Sequence, residues 1–223
     1  MESLAAHEAF EVSVLQWLKS KDLLRPLVFG GGTMLRLCHD LPRYSLDVDF
    51  WFLKLLDFDE FYRRLEDAMR QEYDVRDMQN KFYSILVEIR NVAGMPKLKI
   101  EIRKAVAASG STEEKIAFSP HFPTQVLVRG FTLKQMCSNK ILALLERGEI
   151  RDAFDLEFLA RKGVTLELTE VKTRELLKKL RGFNKRDFSV KLGSVLVPEV
   201  RDYYKDRRFA YLEEQLTFEK WAT

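Results

Sequence analysis

The hydrophobic pattern of the chain alternates between helical and strand periods up to about residue 130 and keeps only the helical one beyond it. Over residues 5–18, Phe10, Val14, Leu15, Trp17 and Leu18 recur at helical spacing, which predicts an opening amphipathic helix packed on a core. Leu27, Val28 and Phe29 form an apolar run that ends at Gly30, Gly31 and Gly32, the pattern of a buried strand that turns where no Cβ is tolerated. Thr33 stands at the expected N-cap of a short helix striped by Met34, Leu35, Leu37, Cys38 and Leu41. A second strand runs through Val48, Phe50, Trp51 and Phe52, with Asp47 and Asp49 set into it. Asp57 or Asp59 then caps a helix whose inner face is Phe58, Phe61, Leu65 and Ala68 or Met69. Tyr83, Ile85, Val87 and Ile89 alternate, residues 91–96 turn, and Leu98, Ile100 and Ile102 alternate with Lys99, Glu101 and Arg103, which reads as a β-hairpin.

Residues 105–124 contain Ser109, Gly110, Ser111, Thr112, Pro120 and Pro123 and read as an exposed connection before a short strand from Gln125 to Val128. After Gly130 come helices. Thr132 and Gln135 have the spacing of a capping box, and Leu133, Met136, Cys137, Ile141, Leu144 and Leu145 mark a buried side that ends near Gly148. A second helix starts around Glu149, and further helices are predicted over Thr169–Leu180, Asn184–Leu196 and Arg207–Trp221, with Pro198 as a break. The fold class is therefore α+β: a mixed α/β domain over residues 1–130 and a helical domain over 131–223.

Composition changes this picture little. With 223 residues, 46% of them apolar, the chain has enough material for a substantial core. No run is long and apolar enough to span a membrane, and an N-terminus bearing Glu2, His7, Glu8 and Glu11 lacks a secretory signal, so the expected location is the cytoplasm. Cys38 and Cys137 lie in apolar helical patterns and read as reduced core residues, while three histidines form no zinc pattern. Charge changes it more. Residues 161–208 carry fourteen Lys and Arg against seven Asp and Glu, which leaves the remainder of a +3 chain net negative. Such a segment suits a nucleic-acid backbone, or simply a solvated helical surface. Tyr203, Tyr204, Phe209 and Tyr211 among Arg201, Lys205, Arg207 and Arg208 fit either base stacking or a core.

The candidate chemistry lies in the first half. On a strand, Asp47 and Asp49 share a face, and two carboxylates side by side repel unless a cation sits between them. Oxygen ligands of this kind suit Mg²⁺ or Mn²⁺. A glycine turn into a helix start can lie against phosphates, although glycines at such turns also serve only to reverse the chain. Glu101 joins the polar face of its own strand, where Lys99 or Arg103 could equally pair with it. In the helical half, Asp152 and Asp155 are three apart on one helix face, and Lys140 sits among apolar neighbours.

Gly31-Gly32-Thr33, thirteen residues, then Asp47-Val48-Asp49 resembles the signature of the polymerase-β-like nucleotidyltransferase superfamily. The flanking run Phe29 to Arg36, His39 and the run Arg43 to Phe50 resemble the AbiEii-type nucleotidyltransferase toxins of type IV toxin–antitoxin systems, tightly over residues 27–52 and onward to about 160. Lys140, Ala143, Leu144, Arg147, Arg151, Asp152 and Asp155 resemble that family's second conserved region, with Arg151 where lysine is commoner. The resemblance implies a nucleotidyltransferase-fold mixed sheet flanked by helices, with a helical bundle after it. It also implies a site in which Asp47, Asp49 and Glu101 bind Mg²⁺, Gly31, Gly32, Thr33, Arg43, Ser45 and Lys140 bind the nucleotide, and Asp155 orients Lys140 or the acceptor. The implied reaction moves a nucleoside monophosphate from an NTP to the 3′ end of tRNA, with a cognate antitoxin as partner. A small-molecule acceptor such as an antibiotic, or nucleotide binding without turnover, would use the same motif.

Overall fold

The computed structural model describes residues 2–90 and 97–218, so the turn expected at 91–96 and the far end of the last helix, with Trp221, lie outside the described residues. The chain divides into two compact units, one formed by residues 1–40 and 44–131, the other by 41–43 and 132–223.

The first unit holds helix α1 (Glu2–Ser20), strand β1 (Leu27–Gly30), helix α2 (Gly31–His39), strand β2 (Asp47–Phe52), helix α3 (Phe58–Glu72) and strands β3 (Asp74–Asn80), β4 (Ser84–Arg90), β5 (Leu98–Val106), β6 (Thr112–Ala117) and β7 (Val126–Phe131). The strands make a seven-stranded mixed sheet in the order β3-β4-β5-β2-β1-β7-β6. β2 lies between β1, antiparallel to it, and β5, parallel to it. In β2, Val48, Phe50 and Phe52 are buried while Asp47, Asp49 and Trp51 stand on the other, open face; β5 repeats this with Leu98, Ile100 and Ile102. The buried face meets helices, as where the Phe52 ring packs edge-on against Phe61 of α3 at 5.1 Å between centroids. Asp57 caps α3 by accepting from the backbone N–H groups of Asp59 and Glu60.

Two strands differ from the sequence expectation. β3 falls in a stretch to which the sequence assigns no element, and β6 occupies part of the 105–124 stretch that reads as a connection. Both are the outermost strands of the sheet and largely exposed, so they bury too little to carry an apolar alternation. Their charged residues suit an edge that must not pair with another chain. The strand expected over 125–128 runs on to Phe131.

The second unit is helical: α4 (Leu133–Arg147), α5 (Ile150–Arg161), α6 (Glu170–Gly182), a π-helical turn (Asp187–Leu192), α7 (Pro198–Arg207) and α8 (Ala210–Phe218). Thr132 caps α4 by accepting from Gln135 N–H, but the Gln135 amide bonds Asn139, so only half of a capping box forms. Gly148 ends α4 in the left-handed conformation, φ 66°. Pro198, expected only as a break, is the first residue of α7, where its missing N–H costs nothing. Asp152 through Ala160 of α5 are all buried; Glu157 among them accepts from the Tyr204 hydroxyl and Leu212 N–H. Tyr204 and Phe209 are core residues, whereas Tyr203 and Tyr211 stack on the Arg161 guanidinium at 5.4 and 4.3 Å.

Candidate active site

The open face of β2 and β5 gathers the three predicted carboxylates of the first unit. Parallel pairing sets Asp49 opposite Glu101, and Asp47 opposite Lys99 one step earlier. Neighbouring strands lie about 4.8 Å apart, so the carboxylates of Asp49 and Glu101 arise from adjacent rows on one surface. Like charges on neighbouring strands of one face repel. Arg103 offsets part of this, its Nε lying 3.7 Å from Glu101 and its guanidinium over the Trp51 ring. Asp47 is exposed; Asp49 and Glu101 are half-buried.

The glycine turn closes against this face from β1, where Gly30 pairs with Asp49. Gly31 has φ +73°, and a Cβ built on it would overlap the Asp49 carboxylate. A methyl group on Gly30 would come within 2.5 Å of the Trp51 ring. The N-cap of α2 is Gly30, three residues before the expected Thr33, and makes no side-chain cap bond. Thr33 is diverted because its hydroxyl donates to the carbonyl of Asp47 at 2.6 Å, tying the first turn of α2 to the start of β2. Gly31, Gly32 and Thr33 are all buried in that turn, and Ser45 is half-buried two residues before Asp47.

Behind the turn lies a polar layer that sequence reasoning missed. Glu11 of α1 is 3.4 Å from the Thr33 hydroxyl and 3.5 Å from His7, whose ring contacts the carbonyl of Leu46 at 3.1 Å. Burial pushes the Glu11 carboxyl up to about 7 against the opposing pull of His7. Glu8 receives Arg36 Nε at 2.7 Å and the Ser119 hydroxyl at 2.6 Å, and Arg36 lies over the Tyr44 ring. The signal was present: His7, Glu8 and Glu11 fall within the buried stripe of an otherwise apolar helix.

The other predicted residues meet in the second unit. Arg43 makes a two-pronged pair with Asp155, Nε to Oδ1 at 2.6 Å and Nη2 to Oδ2 at 2.7 Å. Lys140 Nζ lies 2.6 Å from Asp155 and 3.1 Å from Asp152, and Arg147 makes a second two-pronged pair with Asp152. Arg43, Lys140 and both aspartates are buried; Arg147 is 56% exposed. Burial alone would raise Asp155, but the charges of Arg43 and Lys140 outweigh it and hold the carboxyl below the usual range. Asp152 is lowered in the same way, against burial, by Arg147 and Lys140. Arg43 and Lys140 were both expected to meet a nucleotide; here both are engaged by Asp155.

Among the described residues no group of three or more His, Cys, Asp or Glu side chains is arranged to hold a metal ion. Magnesium binding does not need such a cage, because Mg²⁺ is commonly held by one or two carboxylates together with substrate phosphates and waters. The oxygen donors of Asp47 and Asp49 on one face, with Glu101 in the adjoining row and Gly31 leaving room for Asp49, fit that mode.

The family model described as nucleotidyl transferase AbiEii toxin, type IV toxin–antitoxin system, matches residues 16–222. The chain belongs to the AbiEii nucleotidyltransferase toxin family. No curated protein matches it by sequence. Among solved structures this AbiEii-family enzyme is similar to JHP933 from Helicobacter pylori, with a TM-score of 0.53 and 19% identity over 95% of this chain and 94% of that one. It is also similar to an antigenic nucleotidyltransferase-like protein from Paracoccidioides brasiliensis, with a TM-score of 0.51 and 17% identity over 83% and 92% of the two chains. At these identities the likeness is one of fold, and it is the nucleotidyltransferase-like fold. The described residues of this family member include no helix long and apolar enough to cross a membrane.

Proposed function

We propose that this toxin-family nucleotidyltransferase transfers a nucleoside monophosphate from an NTP to the terminal 3′ hydroxyl of an RNA, that of tRNA, in a Mg²⁺-dependent reaction, acting in the cytoplasm and held in check by a cognate antitoxin. The observation that carries this reading is the row formed by Asp49 and Glu101, with Asp47 on the same face and Gly31 closed against Asp49. The acceptor oxygen attacks the α-phosphorus, the bond from that phosphorus to the β-phosphate bridging oxygen breaks, and pyrophosphate leaves. The acceptor's proton passes to a carboxylate of this face or to water.

Asp47, Asp49 and Glu101 would hold Mg²⁺ or Mn²⁺, which when bound neutralises triphosphate charge and makes the acceptor hydroxyl more acidic. Thr33 fixes the Asp47 backbone, so the two β2 carboxylates cannot drift from the glycine turn. Gly31, Gly32 and Ser45 are assigned to the nucleotide, while Arg43 and Lys140 are held by Asp155 within the second unit. In this reading residues 1–130 are the nucleotidyltransferase-like domain and 131–223 the helical domain. The excess of Lys and Arg over residues 161–208 supports a polyanionic acceptor.

The test incubates purified protein with Mg²⁺, total tRNA and each labelled NTP, beside an Asp47→Ala control. Label on RNA with wild type alone supports the reading and identifies the base. Label on neither RNA, with nucleotide still bound, would shift the acceptor to a small molecule or leave a binding protein.

A further inference from the structure

The first unit carries a cleft of about 760 Å³ at the end of the sheet where β4 begins. Glu101 forms one wall, so the cleft starts in the same row as Asp49. Phe82 and Tyr83 form another wall at the tip of the β3–β4 hairpin, which is closed by the Lys81 N–H bond to the Ser84 carbonyl. Hairpin tips usually carry Gly, Asn or Asp. Here the tip carries two large rings, 82% and 79% exposed. They contact each other edge-on at 4.6 Å between centroids, and the Lys104 N–H bond to the Tyr83 carbonyl anchors the tip to β5. Rings so exposed add nothing to the core, and the anchored backbone holds them at the rim of the cleft.

The charges around the rings divide by what they are doing. Asp57 is spent on capping α3, and Asp59 accepts from the Asn80 amide at 2.7 Å. Of the two cations on the β5 side, Arg103 is engaged with Glu101 and the Trp51 ring, and Lys104 lies over the Phe58 ring at 5.8 Å. A ligand that offers a flat π-face to the rings and an anionic group to Lys104 is a nucleotide unit whose base is unstacked from its neighbours.

We infer that this cleft receives the unpaired terminal nucleoside of the acceptor RNA strand, its base stacked on Phe82 and Tyr83, its phosphate toward Lys104, and its hydroxyl toward Glu101. The inference rests on the RNA-acceptor reading above and adds the two side chains that receive the last base of its unpaired end. A base-paired blunt end has its last base covered and offers the rings no free face.

The experiment follows binding by fluorescence anisotropy, with a labelled RNA bearing an unpaired 3′ end and a blunt RNA duplex as probes. Full-length wild type is compared with a Phe82→Ala, Tyr83→Ala double variant and with a ring-retaining Phe82→Trp, Tyr83→Phe variant. Losing the rings is expected to weaken single-strand binding about fivefold to a hundredfold, leave duplex binding alone and raise KM for RNA with kcat kept. The ring-retaining variant should bind like wild type. Equal single-strand binding by the alanine variant, or equal losses on both probes, overturns the cleft assignment while leaving the RNA reading in place. Failure of wild type to bind either RNA overturns both.

Discussion

Asp49 stands directly opposite Glu101 across the parallel pair of β2 and β5, on the face of the sheet that the helices leave open. Two carboxylates on neighbouring strands of one face suit a cation between them, the ligand role proposed for them above. Asp49→Asn should leave the protein folded, while nucleotide transfer falls below detection. Full transfer by a folded Asp49→Asn protein would falsify the assignment.

Gly31 and Gly110 allow the backbone and contact effects of a methyl group to be separated. Both are left-handed, at φ +73° and +74°, but a Cβ on Gly31 meets the Asp49 carboxylate, whereas one on Gly110 meets nothing within 4 Å. Gly110→Ala is expected to cost about 1 kcal/mol, the left-handed penalty alone, with transfer unchanged. Gly31→Ala should cost roughly 1–3 kcal/mol more and abolish transfer. Chemical denaturation and the labelled-NTP assay, run on both variants, measure the two effects.

Thr33 ties the start of α2 to Asp47 through a 2.6 Å bond to a backbone carbonyl. Thr33→Val keeps the shape and removes the donor. The expected cost is about 1–3 kcal/mol in unfolding free energy, together with a lower kcat. Thr33→Ser should restore kcat; a serine variant as slow as the valine one would mean that the bond does not position Asp47.

The Arg43–Asp155–Lys140 cluster sets an acid limit on stability. Asp155 and Asp152 have carboxyls held below their ordinary value of 3.8, so near that pH the unfolded chain binds more protons than the folded one. Their contribution is therefore complete above about pH 5 and is lost as the pH falls through the ordinary value toward the folded ones. Denaturant midpoints measured between neutral pH and pH 3 should show this decline, and Asp155→Asn should flatten it.

Removing Asp155 also leaves Arg43 and Lys140 buried with fewer acceptors, so Asp155→Asn is expected to cost roughly 3–5 kcal/mol at neutral pH. Arg147→Gln, at a side chain that is 56% exposed, should cost no more than about 1 kcal/mol. Comparable losses at the two positions would show that the buried arm of the cluster has no special weight.

Local features of this protein were legible in its sequence: the strand into Gly30–Gly32, the caps at Thr132 and Thr169, a cap at Asp57 or Asp59 that the fold resolves to Asp57, the left-handed end at Gly148, and the alternation that puts Glu101 on a polar face. These are legible because backbone conformation and the buried face leave a periodic or single-residue mark within a few positions. Edge strands β3 and β6 left none, since an edge that buries little has no apolar period. Only the tertiary structure decided that β5 pairs with β2, which turns two separate acidic positions into one row. It likewise diverted Thr33 from a cap to the Asp47 carbonyl, set Glu8 and Glu11 behind it, and gave Arg43 to Asp155. Each of these joins residues distant in the chain, and such partners are chosen by sheet order and by where a buried charge can find its counter-charge, neither of which has a local period.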